Sequence, residues 1–338
     1  MKRAILVVLD GIRPNDIPKI APDAVASLQE LSSDHSSIAV FWELAGLVSR
    51  TPMPTFPNGF PKRFIKKFEE ATGHHVIVNR PYSGSQVLDD FGGDHTRSGD
   101  LILFTSQESV FQLAAHEKVV PVEDLYKYCE IARKLLFGKL LVGQVIARPF
   151  TGDFGHYEYI EEKRHVYSME PSGRTMLDAL KDDDLDVFSV GKVIDIFAAR
   201  GITDFERSDG FQDGLEKTLR FMEYDFNGLL FSDLSRGEAL EKRNPVKTGT
   251  KNMEALDENL PKLLKELKDE DVLFVTSRST FSMKEGANRC HPLFMYGKNI
   301  VHGQNCGDVQ GLNGVSATIM KYLGVKERLG GPVLPVLK

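Results

Sequence analysis

Asp10 is the first residue of this sequence with a position suited to chemistry. It directly follows the apolar run Ala4 to Leu9 and precedes Gly11. The carboxyl ends of parallel strands are where ligand crevices form, and a carboxylate there is a candidate metal ligand. A helix cap or a turn residue is an equally good interpretation from position alone.

Two further groups are typical of phosphate binding. Ser106 and Glu108 follow another apolar run, where exposed N–H groups of a predicted helix over 108–116 would hold an anion. Simple helix capping is the favoured alternative. Arg174 and Lys192 flank a predicted helix and strand, and two cations near a crevice can pair with phosphate. Spacing alone favours solvated surface charge.

His302 and Cys306, with Cys290 and His291 upstream, are spaced like half a zinc site. No CxxC pair accompanies them, and Cys290–His291 precedes an apolar run. Core packing is therefore the favoured interpretation of these residues.

Short β-branched runs alternate with amphipathic stretches, which predicts α/β layers with parallel strands. Predicted strands cover 4–9, 75–79, 101–105, 143–148, 185–190, 227–232, 272–276 and 293–296. Predicted helices, besides 108–116, cover 61–72, 123–136, 174–182, 210–223, 253–268 and 314–323.

Breaks in this alternation divide the chain. The stretch 50–60 holds three of the 16 prolines, and a second break lies around 150–173. We expect an inserted domain at 52–171 and a discontinuous core domain made of 1–51 and 172–338.

The composition limits the function classes. The 338 residues carry a net charge of −6, which does not favour a nucleic-acid surface. No apolar run reaches the length of a membrane span, and three cysteines are a poor disulfide framework. We expect a cytoplasmic protein with no nucleic-acid or membrane partner.

Long collinear stretches resemble the phosphopentomutases of the alkaline phosphatase superfamily. These stretches are 55–73 (TFPNGFPKRFIKKFEEATG), 98–133, 145–155 (VIARPFTGDFG), 164–181 (RHVYSMEPSGRTMLDALK) and 187–203. The resemblance implies a Rossmann-like core with an inserted cap domain. It also implies two manganese ions beside a phosphorylated threonine, and interconversion of ribose 1-phosphate and ribose 5-phosphate.

The resemblance assigns several sugar-phosphate contacts to this chain. Residues that match the family are Ser106, Val110, Ile146, Arg174 and Lys192. Glu108 replaces an aspartate. Gln144 replaces an arginine, which removes one phosphate-binding cation.

The core segments depart from the family pattern. The family's TGHWE segment reads AVFWE, which places Ala39 at the nucleophile position. DALFGH reads EALEKR, with Glu238 and Arg243, and TADHGND reads TSRSTFS, with Arg278 and Ser279. The segment 284–289 lacks the family's histidine. Only Asp10 and Glu238 remain as remnant metal positions.

These departures predict a phosphopentomutase-like pseudoenzyme that is inactive as a mutase and binds a sugar phosphate or a partner protein. We expect no cofactor, and Mn²⁺ only if the protein is an enzyme after all. One alternative is a repurposed, metal-independent enzyme that acts on a phosphorylated sugar or a nucleoside-like substrate. Another is a regulatory or structural subunit of a pathway complex.

Overall fold

The computed structural model describes residues 1–12, 16–34, 36–106, 108–235, 245–278 and 289–338, with the side chains of 245–250 left out. The chain forms two compact units. The larger comprises Met1–Thr51 and Glu170–Lys338, and the smaller is Pro52–Met169. No helix within the described ranges is long and apolar enough to cross a membrane.

The larger unit is built on an eight-stranded sheet in the order β10-β9-β11-β1-β12-β13-β2-β14. The strands are β1 (Arg3–Leu9), β2 (Ala24–Gln29), β9 (Asp186–Val190), β10 (Asp204–Glu206), β11 (Gly228–Asp233), β12 (Asp271–Ser277), β13 (Cys290–Tyr296) and β14 (Gln304–Gln310). All neighbours are parallel except β13, which runs antiparallel to β12 and β2.

Helices cover both faces of this sheet, so its central strands are buried throughout. They are α1 (Ser37–Leu44), α5 (Met176–Asp182), α6 (Val193–Ile196), α7 (Phe211–Glu223), α8 (Pro245–Lys265) and α9 (Gly314–Leu323). On one face Ile5, Val7 and Leu9 of β1 pack with Leu215 of α7 and Leu260 of α8. Continuous apolar runs such as AILVVL are typical of strands buried on both faces.

The smaller unit has a six-stranded sheet. Its strands are β3 (Val76–Pro81), β4 (Leu101–Thr105), β5 (Val110–His116), β6 (Gln144–Asp153), β7 (His156–Tyr159) and β8 (His165–Ser168), and its helices are α2 (Lys62–Thr72), α3 (Gly84–Ser98) and α4 (Val122–Leu135). Helices α2 and α4 pack on one face around Phe68, Phe111 and Leu125. Helix α3 packs on the other face through Val87 and Leu88.

The helix predicted over 108–116 is wrong, because this segment is strand β5, antiparallel to β4. A tight turn replaces the helix start. In this turn Thr105 Oγ1 donates to the Val110 carbonyl at 2.6 Å, and Ser106 Oγ accepts the Glu108 amide at 3.0 Å. Every residue from Val110 to His116 is buried, so the tertiary environment selects the strand.

Candidate functional site

Asp10 and Arg278 form a buried ion pair at the carboxyl edge of the larger sheet. Strands β1 and β12 are parallel neighbours that end in register at Leu9 and Ser277. The Arg278 amide donates to the Leu9 carbonyl at 2.8 Å, which places the two side chains next to each other. Arg278 Nε donates to one oxygen of Asp10, and Nη2 donates to the other at 3.2 Å. The sequence analysis placed Asp10 at the end of a strand and Arg278 in a segment that carries metal ligands in the family, but it did not foresee the pair.

The same edge carries polar groups that the sequence did not single out. Asn252 of α8 donates from Nδ2 to the Asp10 carbonyl at 2.8 Å. Asp233 ends β11 beside β1, is 2% exposed, and accepts the Ser235 amide at 3.0 Å. Ser235 Oγ and Asn252 Oδ1 are buried and have no hydrogen-bond partner among the described residues. Buried polar atoms normally have partners, so these two oxygens leave hydrogen-bonding capacity at this edge that the described residues do not fill.

Ala39 lies in the first turn of α1 and is fully buried. Ser36 caps this helix, and its Oγ accepts the Ala39 amide at 3.3 Å. The helix follows β2, which runs in the same direction as β1, so its start belongs to the carboxyl edge. The buried Glu43 fixes the helix by accepting the Leu31 and Ser32 amides at 2.9 and 2.8 Å.

The suspected zinc ligands are involved in packing and pairing. His291 is fully buried, with Nδ1 2.6 Å from the Ser277 carbonyl and Nε2 2.9 Å from Glu30 Oε1. The exposed His302 pairs with Asp23 at 3.0 Å. Among the described residues no group of three or more His, Cys, Asp or Glu side chains could hold a metal ion. His291 thus packs in the core, whereas His302 lies at the surface.

Arg174 and Lys192 differ in how they are paired. Lys192 precedes α6 at the carboxyl end of β9 and makes no side-chain hydrogen bond or ion pair with the part of the chain that the structure describes. Arg174 donates to Glu327 and also pairs with Asp182. Hydrogen bonds to Glu327 and then to Asp182 raise the pKa of the Arg174 guanidinium.

The sites predicted in the smaller unit share one face of its sheet. Val110 of β5 pairs with Gln144 of β6, and Gln112 pairs with Ile146, so these four side chains lie on the same side. Gln144 Nε2 donates to Ser168 Oγ at 3.3 Å. Ser106 and Glu108 lie in the turn that leads into β5. Gln112, which is 7% exposed, is the member of this face that sequence reasoning missed.

The comparisons with known proteins identify the family. The phosphopentomutase of Lachnoclostridium phytofermentans is 39% identical over 330 residues, which cover 96% of this chain and 84% of that protein. The chain belongs to the phosphopentomutase family. The phosphopentomutase of Carboxydothermus hydrogenoformans is 39% identical over 91% of this chain and 80% of its own length. The family model described as Metalloenzyme superfamily matches residues 182–327.

Solved structures agree on the fold of this phosphopentomutase-family chain. The phosphoglycerate mutase of Leishmania mexicana has a TM-score of 0.51 at 11% identity, covering 99% of this chain and 98% of that one. A protein from Pyrococcus horikoshii has the same TM-score at 13% identity, over 98% and 99%. Identity this low shows the fold alone, which is the predicted α/β, alkaline-phosphatase-like core.

The prediction that the protein needs no cofactor is wrong. The Metalloenzyme superfamily match and the phosphopentomutase relatives point to a metal cofactor. The prediction rested only on the residue types that occupy the family's ligand positions in this sequence. Of these positions, Glu238, Arg243, Ser279 and 284–288 lie outside the described residues. The described residues do not by themselves form a metal site, because Arg278 engages both carboxylate oxygens of Asp10.

Proposed function

We propose that this member of the phosphopentomutase family binds a phosphorylated sugar and does not catalyse the mutase reaction. The observation that carries the proposal is Ala39, which occupies the nucleophile position that the resemblance assigns. The family passes a phosphoryl group through a threonine hydroxyl. A methyl group has no lone pair with which to attack phosphorus.

The neighbouring hydroxyls are displaced from that position. Ser36 and Ser37 precede Ala39 by three and two residues, and Ser36 Oγ is engaged as the helix cap. At about 1.5 Å of rise per helical residue, such a shift moves the oxygen by several ångströms. A misplacement of about 1 Å can already cost roughly 100-fold in rate.

Residues that match the family's ligand contacts support ligand binding. Lys192 has no side-chain partner among the described residues, so its ammonium is available to an anion. Ser106, Val110 and Ile146 match the family's sugar-phosphate contacts. Gln144 supplies an amide where the family has a guanidinium, so we expect weaker phosphate binding than in the relatives.

Calorimetric titration with ribose 5-phosphate tests the binding. Lys192→Ala should weaken it by roughly 10- to 100-fold, the value of a charge-assisted hydrogen bond. The matched control is Lys298→Ala, which removes an exposed lysine paired with Asp269. If neither the unmodified protein nor any variant binds a ribose phosphate, the proposal fails and a partner-protein role is favoured.

A coupled assay tests the chemistry. Interconversion of ribose 1-phosphate and ribose 5-phosphate is measured with manganese and a bisphosphate activator present. The Lachnoclostridium phytofermentans relative serves as the positive control. We expect no turnover by the unmodified protein.

An active mutase is the second candidate, and the 39% identity to the Lachnoclostridium phytofermentans phosphopentomutase over 84% of its length favours it. Turnover that is lost in Ser36→Ala or Ser37→Ala would identify a relocated nucleophile. Turnover that survives both substitutions would overturn the assignment of Ala39 to the nucleophile position.

A further inference from the structure

The Arg174 guanidinium lies between two carboxylates that come from different parts of the larger unit. Nε lies 2.9 Å from Oε1 and 3.0 Å from Oε2 of Glu327, and Nη2 donates to Oε2 at 2.8 Å. Nη2 also lies 2.6 Å from Oδ2 of Asp182, the last residue of α5. Nη1 makes no hydrogen bond within the described ranges.

A guanidinium has two edges that can each bind phosphate through two parallel hydrogen bonds. In Arg174 both edges are in contact with a carboxylate. The edge formed by Nε and Nη2 is bound by Glu327. On the edge formed by Nη1 and Nη2, the Nη2 atom contacts Asp182. Fork-to-fork contact needs two free N–H groups on one edge, so a phosphate must displace at least one carboxylate.

The charges and the exposure of the cluster make such a displacement feasible. One positive and two negative groups repel an approaching anion, so the closed cluster disfavours phosphate. The Arg174 and Glu327 side chains are 41% and 37% exposed, and Asp182 is 62% exposed. Ion pairs this exposed contribute little to stability and exchange partners readily.

We propose that Glu327 and Asp182 set the phosphate affinity of Arg174 by competing with the ligand for its guanidinium. The inference rests on the proposed function, since it assumes that Arg174 contacts the phosphorylated ligand. Glu327 acts as an internal carboxylate ligand that the phosphate group replaces. The two carboxylates are therefore affinity-determining residues, distinct from those that contact the sugar.

Titration calorimetry of Glu327→Gln and Asp182→Asn with ribose 5-phosphate and with inorganic phosphate tests the competition. Each substitution should tighten binding by roughly 2- to 5-fold, which is what an exposed ion pair is worth. The double variant should bind more tightly than either single variant. In an Arg174→Gln background, Glu327→Gln should give no gain.

Asp94→Asn is the matched control, because it frees the exposed Arg97 of the smaller unit from a similar pair. It should leave the affinity unchanged, and an equal gain would show unspecific phosphate binding and overturn the inference. If Arg174→Gln loses binding while Glu327→Gln and Asp182→Asn gain none, the inference fails and the proposed function stands. If no variant binds either phosphate compound, both fail. Thermal unfolding of each variant identifies loss of fold.

Discussion

An arginine–aspartate ion pair joins strands β1 and β12 at each of their two ends. The arginine belongs to the β1 segment at one end and to the β12 segment at the other. At the amino end Arg3 pairs with Asp271, its direct neighbour in the ladder. At the carboxyl end Asp10 pairs with Arg278. Both pairs are buried, so the same chemistry occurs twice on the same two strands.

The surroundings of the two pairs differ. Arg3 also donates from Nη1 to the Met222 and Tyr224 carbonyls at 2.6 and 3.0 Å, and Asp271 also accepts the Lys268 amide at 2.7 Å. At the carboxyl edge, by contrast, Ser235 Oγ and Asn252 Oδ1 have no partner within the described ranges. The amino-end pair thus belongs to a structural network whose polar groups find their hydrogen-bond partners within the chain. The carboxyl-end pair lies where parallel sheets bind ligands, among polar atoms that the described chain does not satisfy.

The largest expected effect is at the amino end. Arg3→Met leaves the Asp271 carboxylate buried and unpaired, which should lower the free energy of unfolding by about 3–5 kcal/mol. Urea unfolding followed by Trp42 fluorescence measures it, because Trp42 is the sole tryptophan and lies in the larger unit. The double variant Arg3→Met/Asp271→Leu should recover most of the loss. No recovery would contradict a purely structural pair.

A smaller effect is expected at the carboxyl end. Asp10→Asn removes a charge-assisted acceptor and should cost about 1.5–3 kcal/mol in the same unfolding measurement. Asp271→Asn is the matched substitution and should cost more, because Arg3 is 1% exposed and Arg278 is 8% exposed. An equal or larger cost for Asp10→Asn would show that the two ends are equivalent.

The smallest effect is expected at an unsatisfied hydroxyl. Ser235→Ala should leave the free energy of unfolding within about 0.5 kcal/mol, since its buried Oγ makes no hydrogen bond to the part of the chain that the structure describes. Thr218→Val is the control, because Thr218 Oγ1 donates to the Gly214 carbonyl at 2.7 Å and should cost about 1 kcal/mol. A clear loss of unfolding free energy in Ser235→Ala would show that the polar groups of this edge are hydrogen-bonded within the chain, as at the other edge.

Elements with strong periodicity could be predicted from the sequence. The predicted strand 101–105 and helix 314–323 agree with β4 and α9, because apolar runs and 3.6-residue periods reflect local burial. Helix α3 was missed, since Gly92 and Gly93 argue locally against a helix. In the fold a Cβ at Gly92 would lie 2.5 Å from the Tyr157 ring, so close packing requires glycine there.

The sequence by itself determined the alternation of strands and helices, the family resemblance, and the identity of the residue at position 39. Only the tertiary structure decided which charges meet. Arg278 and Asp10 are 268 positions apart, and Arg174 and Glu327 are 153 apart. Their pairing depends on strand order and helix packing, which join distant segments and leave no periodic signal in the local sequence. Arg174, whose spacing favoured solvated surface charge, pairs with Asp182 nearby in the sequence but also with Glu327, which the local sequence does not reveal.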